Sequence, residues 1–529
     1  MIRIHNVKVG LGKTNYRKIL SQTLNIREKQ IREVKLIKQS IDARRDKVHM
    51  ICSFDFEVED EEQVLKQHSQ LKKVEPYQYH YYPKNNRRVI IVGSGPAGLF
   101  CAYVLSQVGQ NVTVIERGQP IEQRVLDVEN LLQKGQLNPQ SNIAFGEGGA
   151  GTFSDGKLTT GIKNTRLQYI LETFVKHGAP EDILYLSKAH IGTDYLRKVI
   201  VNMRKSMEEK GVQFLFDTQM VDFTYHHEFD VRVVHHGKES FLKADDLVLA
   251  IGHSARDTYE MLYQKGVNLE QKPFAVGVRI EQSQEVINKI QYKKSFSSPH
   301  LKAASYKLAV QTSEGRGVYT FCMCPGGYVV PSMNEEGHLC INGMSYYARD
   351  GKNANSAILV NVKTTDFASD HPLAGIAFQR KLEKKAFELG GGNYCAPVQL
   401  LKDYFNNQLT TQLGVIQPTY QPGIQFADIN KLFPDFINRN LKEGLIMMNE
   451  KMKGFIDEHT LITGIESRSS APVRIVRNKE YESNIAHLYP IGEGAGYAGG
   501  IMSAAVDGIM CAEMILKGDS YGSDRTIKK

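Results

Sequence analysis

The chain has 529 residues, 41% hydrophobic and 23% charged, with 45 Gly and 17 Pro. This composition excludes a disordered, collagen-like or coiled-coil protein, and the length predicts roughly three or four domain-sized units. The net charge is +8, and residues 1–50 hold thirteen Lys/Arg against four Asp/Glu. That bias suits an anionic cofactor or substrate, and equally weak nucleic-acid contact.

Seven irregularly spaced cysteines make no disulfide framework, which predicts reduced thiols in a cytoplasmic protein. The N-terminus lacks the apolar core of a signal peptide. No stretch reaches the ~18 charge-free apolar residues of a membrane span. The nearest candidate, Leu488 to Leu516, is interrupted by Glu493, Asp507 and Glu513.

Residues 1–83 predict a small basic α+β unit with its linker. RIHNVKV alternates as a strand, TNYRKILSQTL has helical spacing, VHMICSFDFEV reads as a second strand and EDEEQVLKQHSQL as an acid-started helix. Pro76 to Asn86, with two prolines and no period, reads as a linker. The pattern then becomes strand (RRVIIV), glycine turn, helix (LFCAYVLSQVG) and strand (NVTVIE), followed by a Gly-rich loop from Phe145 to Gly161. Helical segments from Thr165 to Gly211 lead to a buried strand, ADDLVLAIG. The texture from about 271 to 455 is mixed, with strands VGVRIEQ, YVVPSM and HLCINGM and a helix in FQRKLEKKAFELG. At the end, HLYPIGEGAG repeats strand and glycine turn before the helix IMSAAVDGIMCAEMIL.

Gly93-Ser94-Gly95-Pro96-Ala97-Gly98 lies between a strand and a helix, and Glu116 ends the next strand eighteen residues past Gly98. This is a dinucleotide fingerprint. Gly93 permits the tight turn, Gly95 lets the backbone approach a pyrophosphate, and Gly98 lets helix pack on strand. The helix N-terminus offers free N–H groups to phosphate, and Glu116 can accept from ribose hydroxyls. Gly492-Glu493-Gly494-Ala495-Gly496 forms a second carboxylate-bearing turn between strand and helix. It suits the ribityl chain of FAD, or else is a helix-packing loop.

These pieces resemble the two-dinucleotide-fold flavoproteins related to glutathione reductase. More closely, the chain resembles a bacterial family of FAD-dependent dehydrogenases, through GEGGAGTFSDGKL (146–158), AIGHSARDT (250–258), KPFAVGVRIE (272–281), YTFCMCPGGYVV (319–330), INGMSYYARD (341–350), ESRSSAPVRI (466–475) and YPIGEGAGYAGGI (489–501). The resemblance spans nearly the whole chain. It implies an α/β fold: a Rossmann-like FAD-binding domain (84–270 and 456–529) with an inserted α+β cap or substrate domain (271–455) and the small N-terminal domain. The expected cofactor set is Gly93, Gly95, Pro96, Ala97, Gly98, Glu116, Arg117, Gly148, Gly149, Gly151, Gly252, Gly492, Glu493, Gly494 and Ala495. Glu493 stands where the wider group has Asp, which changes its reach toward the ribityl chain. No second strand–G-x-G-x-x-G–helix unit is present, so NAD(P)H is expected only as a transient electron donor.

The remaining candidates are catalytic. His253 follows the AIG strand exit, with Arg256 and Asp257 beyond. It is either an acid/base or hydrogen-bond donor at the flavin, or a loop histidine satisfied by backbone. Arg468 and Arg474 either clamp an anionic substrate or pair internally with Glu466. Cys322 and Cys324 are a labile disulfide pair, two soft metal ligands, or buried thiols; no companion ligands accompany them, so no metal is expected. Strand alternation sets both across the strand from Met323 and keeps the sulfurs apart unless the backbone bends. Cys101, Cys340 and Cys395 read as core thiols, and the run Asn342 to Asn355 as turn chemistry. The expected function is a FAD-dependent oxidoreductase acting on a small molecule, anionic if the arginines clamp it. The alternatives are an RNA-linked flavoprotein using the basic N-terminal unit, which lacks an aromatic pair in an RNP-like strand, and a flavin-bearing sensor or scaffold without turnover.

Overall fold

The computed structural model describes residues 1–518. The N-terminal unit runs β1 (Ile2–Gly10), α1 (Tyr16–Leu24), β2 (Ile31–Asp42), β3 (His49–Val58), α2 (Glu61–Gln67) and β4 (Lys72–Lys73). Its sheet order is β2-β3-β1-β4, all antiparallel, a split βαβ arrangement. Alternation along β1 and β3 sends Ile2, Ile4, Cys52, Phe54 and Phe56 into a core with Leu20 and Leu24 of α1. The reverse face carries the Arg3–Asp55 ion pair at 2.6 Å and His5 on Ser53 at 3.2 Å. The strand β2 has no counterpart in the pattern read from sequence. Its charged residues hide the period, and its far end pairs with the next domain through Gln39 N–H to Tyr185 O at 2.6 Å and Ser187 N–H to Gln39 O at 2.9 Å.

Those two rows of β1 and β3 bear on RNA. The face opposite the helices presents no Phe or Tyr on β1 or β3, and base stacking needs such rings. Residues 1–83 are therefore expected to bind single-stranded RNA no better than a generic basic surface does. A salt titration of RNA binding tests this; tight binding retained at ~200 mM salt would contradict it.

The segment Pro76–Asn86 is a packed strap rather than a free linker. Tyr79 stacks on Tyr169 with centroids 4.2 Å apart and donates to Glu513 Oε1 at 3.0 Å, while the Tyr81 and Tyr169 hydroxyls meet at 2.8 Å. Aromatic stacking and two part-buried hydrogen bonds contribute about 2 kcal/mol together. A chain starting at Lys84 is therefore expected to unfold at lower urea than one starting at Pro76.

The central domain is built on five parallel strands: β5 (Arg88–Val92), β6 (Asn111–Ile115), β7 (Gln213–Leu215), β11 (Asp246–Leu249) and a last strand, Leu488–Pro490. Their order is Leu488–Pro490, β11, β5, β6, β7. Val89, Ile91, Val112, Val114 and Val248 are buried, as a sheet covered on both faces requires. Helix α3 (Pro96–Gln107) packs against the helix Ile501–Lys517 so closely that a Cβ on Gly508 would lie 2.0 Å from Ala97 O. A three-stranded meander, β8 (Thr218–Tyr225), β9 (Phe229–His235) and β10 (Lys238–Ala244), precedes β11.

The cap is a seven-stranded sheet in the order 309–311, 317–324, 353–362, 274–283, 461–466, 396–400 and 424–426. Leu461–Glu466 pairs with Phe274–Ser283, so the cap continues past residue 455, the boundary expected from the sequence. Strand pairing, not composition, sets that boundary. The asparagines also differ from expectation. Asn353 and Asn355 are buried in a strand, where Asn353 donates to Glu281 at 3.0 Å and Asn355 accepts from Arg279 at 2.7 Å.

Candidate functional site

Three segments far apart in sequence meet at the carboxyl ends of adjacent strands, where open parallel sheets bind ligands. β5 ends in Gly93, β11 in Ala250 to Gly252, and Leu488–Pro490 in the Gly492 turn. Gly93 has φ +103°, and a Cβ there would meet Ala250 O at 2.4 Å. A Cβ on Gly98 would lie 2.0 Å from Gly93 O. Both glycines are forced by close backbone packing. Gly95 is different: a Cβ would meet only Gly149 Cα, at 3.9 Å, so its side-chain space faces the crevice. At Gly252, Gly499 and Gly500 a methyl group would likewise find no atom within 4 Å. A cleft lined by bare backbone beside the N-termini of α3 and the Ile501–Lys517 helix fits a dinucleotide phosphate and flavin.

The Gly-rich loop closes over the first turn. Gly148 N–H donates to Ser94 O at 3.0 Å, and Gly149 approaches Gly95; Gly151 lies against Ile501. The loop is held by Arg124, which is fully buried and donates to the carbonyls of Asn142 at 2.9 Å, Ile143 at 3.0 Å and Gly149 at 3.0 Å. Burial pushes its guanidinium down to about 9. Sequence reasoning missed Arg124, since a lone arginine on a surface-patterned helix carries no signal.

Glu116 is placed at the first turn, but its oxygens are engaged there. Oε2 accepts from Ser94 N–H at 3.0 Å and Ser94 Oγ at 2.8 Å, and Oε1 accepts from Gly118 N–H at 3.0 Å and Gly146 N–H at 3.1 Å. A ribose hydroxyl has to share or replace one of these bonds. Arg117 forms a bidentate pair with Asp257 at 2.9 and 2.8 Å and covers the Phe145 ring at 4.2 Å.

Glu493 presents the opposite case. Among the described residues its carboxylate makes no hydrogen bond or ion pair, and burial pushes it up to about 7, with Lys272 opposing and Cys322 adding to the rise. Its turn is fixed from behind: Gly492 N–H donates to Asp507 Oδ2 at 2.7 Å, Arg477 pairs with Asp507 at 2.7 Å, and Tyr259 donates to Gly494 O at 2.6 Å. Ala495 is buried in the core beneath. An unpartnered carboxylate on a rigid turn fits polyol hydroxyls. A carboxyl raised above its ordinary value favours folding below that value and loses the contribution as pH rises through about 7. Glu493→Gln is thus expected to raise the Tm of flavin-free protein at about pH 8, by the equivalent of about 1–3 kcal/mol, and to be nearly neutral at about pH 4.5.

Two of the catalytic candidates, Arg256 and Arg468, are engaged with buried partners. Arg256 is fully buried and donates to Glu383 at 2.8 and 2.9 Å, with Glu335 and Gln379 as further partners. Arg468 donates to the same Glu383 at 3.0 and 2.8 Å, and to Ser254 at 3.1 Å. Neither guanidinium is free for substrate. Glu466, the partner expected for Arg468 or Arg474, pairs instead with Arg279 at 2.8 and 3.0 Å. His253 has Nδ1 2.7 Å from Ser254 Oγ. Burial, then Arg468 and Arg256, push it down to about 3. Arg474 remains at the crevice, its Nε buried without a partner and its guanidinium 5.2 Å from the Tyr497 ring centroid. Lys272, which no sequence pattern singles out, faces Glu493 and is lowered mainly by burial.

Cys322 and Cys324 also differ from expectation. Cys322 has φ +45°, and the register of its strand shifts between Phe321 and Cys324, so the backbone does bend. Lys157 Nζ lies 4.0 Å from Cys322 Sγ and 3.7 Å from Cys324 Sγ. No group of three or more His, Cys, Asp or Glu suited to a metal occurs among the described residues.

Comparison with known proteins places these features in a family. Residues 273–469 match the profile of the FAD-dependent protein, C-terminal domain-like, family, and residues 52–136 that of pyridine nucleotide-disulphide oxidoreductases. Residues 1–57 match a domain of unknown function. A Clostridium beijerinckii protein named only as uncharacterized is 45% identical over 529 residues, covering 98% of each chain. Among solved structures, the flavin-dependent halogenase CmlS is 12% identical, covering 83% of this chain and 60% of its own, with a TM-score of 0.38. A mutant of the halogenase PltM in complex with FAD is 10% identical, covering 83% and 71%, with a TM-score of 0.40.

Proposed function

This chain belongs to one family with its Clostridium beijerinckii relative and carries the profiles of a FAD-dependent protein and of a pyridine nucleotide-disulphide oxidoreductase, and from that premise we propose that it passes a hydride or electrons between FAD and a small molecule, with NAD(P)H as a donor that visits the flavin crevice. FAD, when bound, supplies the two-electron chemistry. The protein supplies binding, orientation and electrostatics. Gly93, Gly95, Pro96, Ala97 and Gly98 present the α3 N-terminus to the pyrophosphate, and Glu116 and Arg117 border the adenosine end. Gly148, Gly149 and Gly151 cover the first turn. Gly252, Gly492, Gly494 and Ala495 shape the far end, where Glu493 accepts from the polyol.

The observation that carries this reading is the pairing of an open Gly95 with an unpartnered Glu493 across three strand ends. Lys272, which faces Glu493 and has Arg474 nearby, favours a substrate bearing negative charge. Burial lowers Lys272 from its ordinary value, with Glu493 opposing. No described helix is long and apolar enough to cross a membrane. The scattered, unpaired cysteines support a reducing compartment, the cytoplasm.

The test is an anaerobic titration of purified protein with NADH, NADPH and dithionite in turn, following the flavin spectrum. Bleaching by a nicotinamide donor at a rate saturating with its concentration supports the reading. Bleaching by dithionite alone would leave NAD(P)H without a role and move the electron donor to the substrate.

A further inference from the structure

Cys322 and Cys324 sit where the cap meets the flavin domain, and their surroundings differ from those of every other thiol in the chain. The bulge after Phe321, with Cys322 in the left-handed region, turns both sulfurs toward one cation, Lys157, from the Gly-rich loop. Lys157 is in turn paired with Asp155 at 3.1 Å, and Asp155 with Arg349 at 2.5 Å. Burial works against the Lys157 ammonium, but Asp155 and the two thiols outweigh it and keep it charged. Arg279 adds a second positive group: it donates to Cys322 O at 3.2 Å. Cys324 is buried and Cys322 partly exposed.

The thiols are unequal in acidity as well. The Cys324 thiol donates to the Cys322 carbonyl oxygen at 3.2 Å, and the contact between the two side chains, with Lys157 and Arg279, holds Cys322 well below the ordinary thiol value, while Cys324 is held well above it. Cys101 and Cys511 provide the contrast. They also face each other, but in an apolar core between two helices, and burial drives Cys511 up.

We propose that Cys322 and Cys324 form a dithiol–disulfide redox couple at the edge of the flavin crevice, with Cys322 as the nucleophile, Cys324 as the resolving thiol and a low-molecular-weight disulfide as the oxidant. The Cys322 thiolate attacks one sulfur of the external disulfide, breaking its S–S bond and releasing one thiol. Cys324 then loses its proton and attacks Cys322, releasing the second thiol and closing the internal S–S bond. Two electrons pass from the pair to the external disulfide; the Cys324 proton leaves on one released thiol, and the other released thiol takes from solvent the proton that Cys322 had already given up. Of the two thiols, Cys322 is the one that acts electrostatically on Glu493. The couple does not depend on the hydride transfer proposed above and stands or falls separately from it.

The test equilibrates the full-length, flavin-loaded protein in glutathione buffers from fully reduced to fully oxidised, blocks free thiols with N-ethylmaleimide and weighs the tryptic peptide 317–349. That peptide holds Cys322, Cys324 and Cys340. It is expected to carry three alkyl groups at the reducing end and one at the oxidising end, with the internal disulfide two hydrogens lighter and without bound glutathione. Three alkyl groups throughout, or a stable glutathione adduct in the wild type, would overturn the proposal. Cys324→Ser is expected to stop at one glutathione on Cys322. Lys157→Met, which leaves Asp155 its partner Arg349, is expected to slow iodoacetamide labelling of Cys322 at about pH 7 by about tenfold and to move its pH midpoint upward, with Lys157→Arg restoring most of the rate. An unchanged rate in folded Lys157→Met would also overturn it.

Discussion

Gly95→Ala is expected to give a folded but colourless protein. A methyl at this position finds only Gly149 Cα, at 3.9 Å, which is ordinary contact, and the backbone there is in the extended region open to any residue. The methyl nevertheless projects into the space where a pyrophosphate has to approach the α3 N-terminus. Loss of FAD affinity by at least ~100-fold, or about 2.7 kcal/mol, is expected, with the circular dichroism unchanged. Gly98→Ala provides the contrast, because its methyl would lie 2.0 Å from Gly93 O and has no room. That variant is expected to lose folded yield first and flavin as a consequence. Flavin absorbance after gel filtration, read beside thermal unfolding, separates the two outcomes. Wild-type flavin content in Gly95→Ala would contradict the placement.

Glu383→Ala is expected to cost about 3–5 kcal/mol of stability. Glu383 is fully buried between Arg256 and Arg468, and it also accepts from Ser467 at 2.6 Å. Removing the carboxylate leaves the buried Arg468 guanidinium without its counter-charge and the buried Arg256 guanidinium with Glu335 alone. Burial pushes the Glu383 carboxyl up, but the two arginines outweigh it and hold the group below the usual carboxylate range. A depressed folded value stabilises the protein above the ordinary carboxyl value, and that contribution is lost only as pH falls toward the depressed one. The stability gap between wild type and Glu383→Ala is therefore expected to be constant from about pH 8 to about pH 5 and to narrow on further acidification. Urea unfolding at three pH values measures it. A gap under ~1 kcal/mol at about pH 7 would return Arg256 and Arg468 to the list of substrate-binding candidates.

The flavin domain was largely legible in the chain because its signals are local. RRVIIV, the glycine turn and LFCAYVLSQVG each announce themselves by period and composition, and the observed elements Arg88–Val92 and Pro96–Gln107 follow them closely. The AIG and Gly492 turns were visible as strand exits for the same reason. The elements that escaped are those set by distant partners. Ile31–Asp42 is a strand with mostly polar and charged side chains, because one edge pairs with β3 and its far end with residues 185–187. Leu461–Glu466 belongs to the cap because Phe274–Ser283 accepts it as a neighbour, which no local pattern reports.

The site divides along the same line. Glycines forced by backbone approach, such as Gly93 and Gly98, carry their reason in their spacing. Charged side chains do not. Arg256 and Arg468 lie just past strand ends, where ligand contacts gather, and only the burial of Glu383 between them assigns them elsewhere. Lys157 gave no sign of its proximity to Cys322 and Cys324, since the three residues come from different domains and meet only through a bulge.

The measurement closest to the central claim is the visible spectrum of the purified full-length chain, before and after incubation with excess FAD and gel filtration. A bound-flavin spectrum is expected, at one FAD per chain and released into the supernatant by acid precipitation, with Gly95→Ala colourless under the same treatment. A wild-type chain that stays colourless after reconstitution, while folded by circular dichroism, would contradict the assignment of the three strand ends as a FAD site.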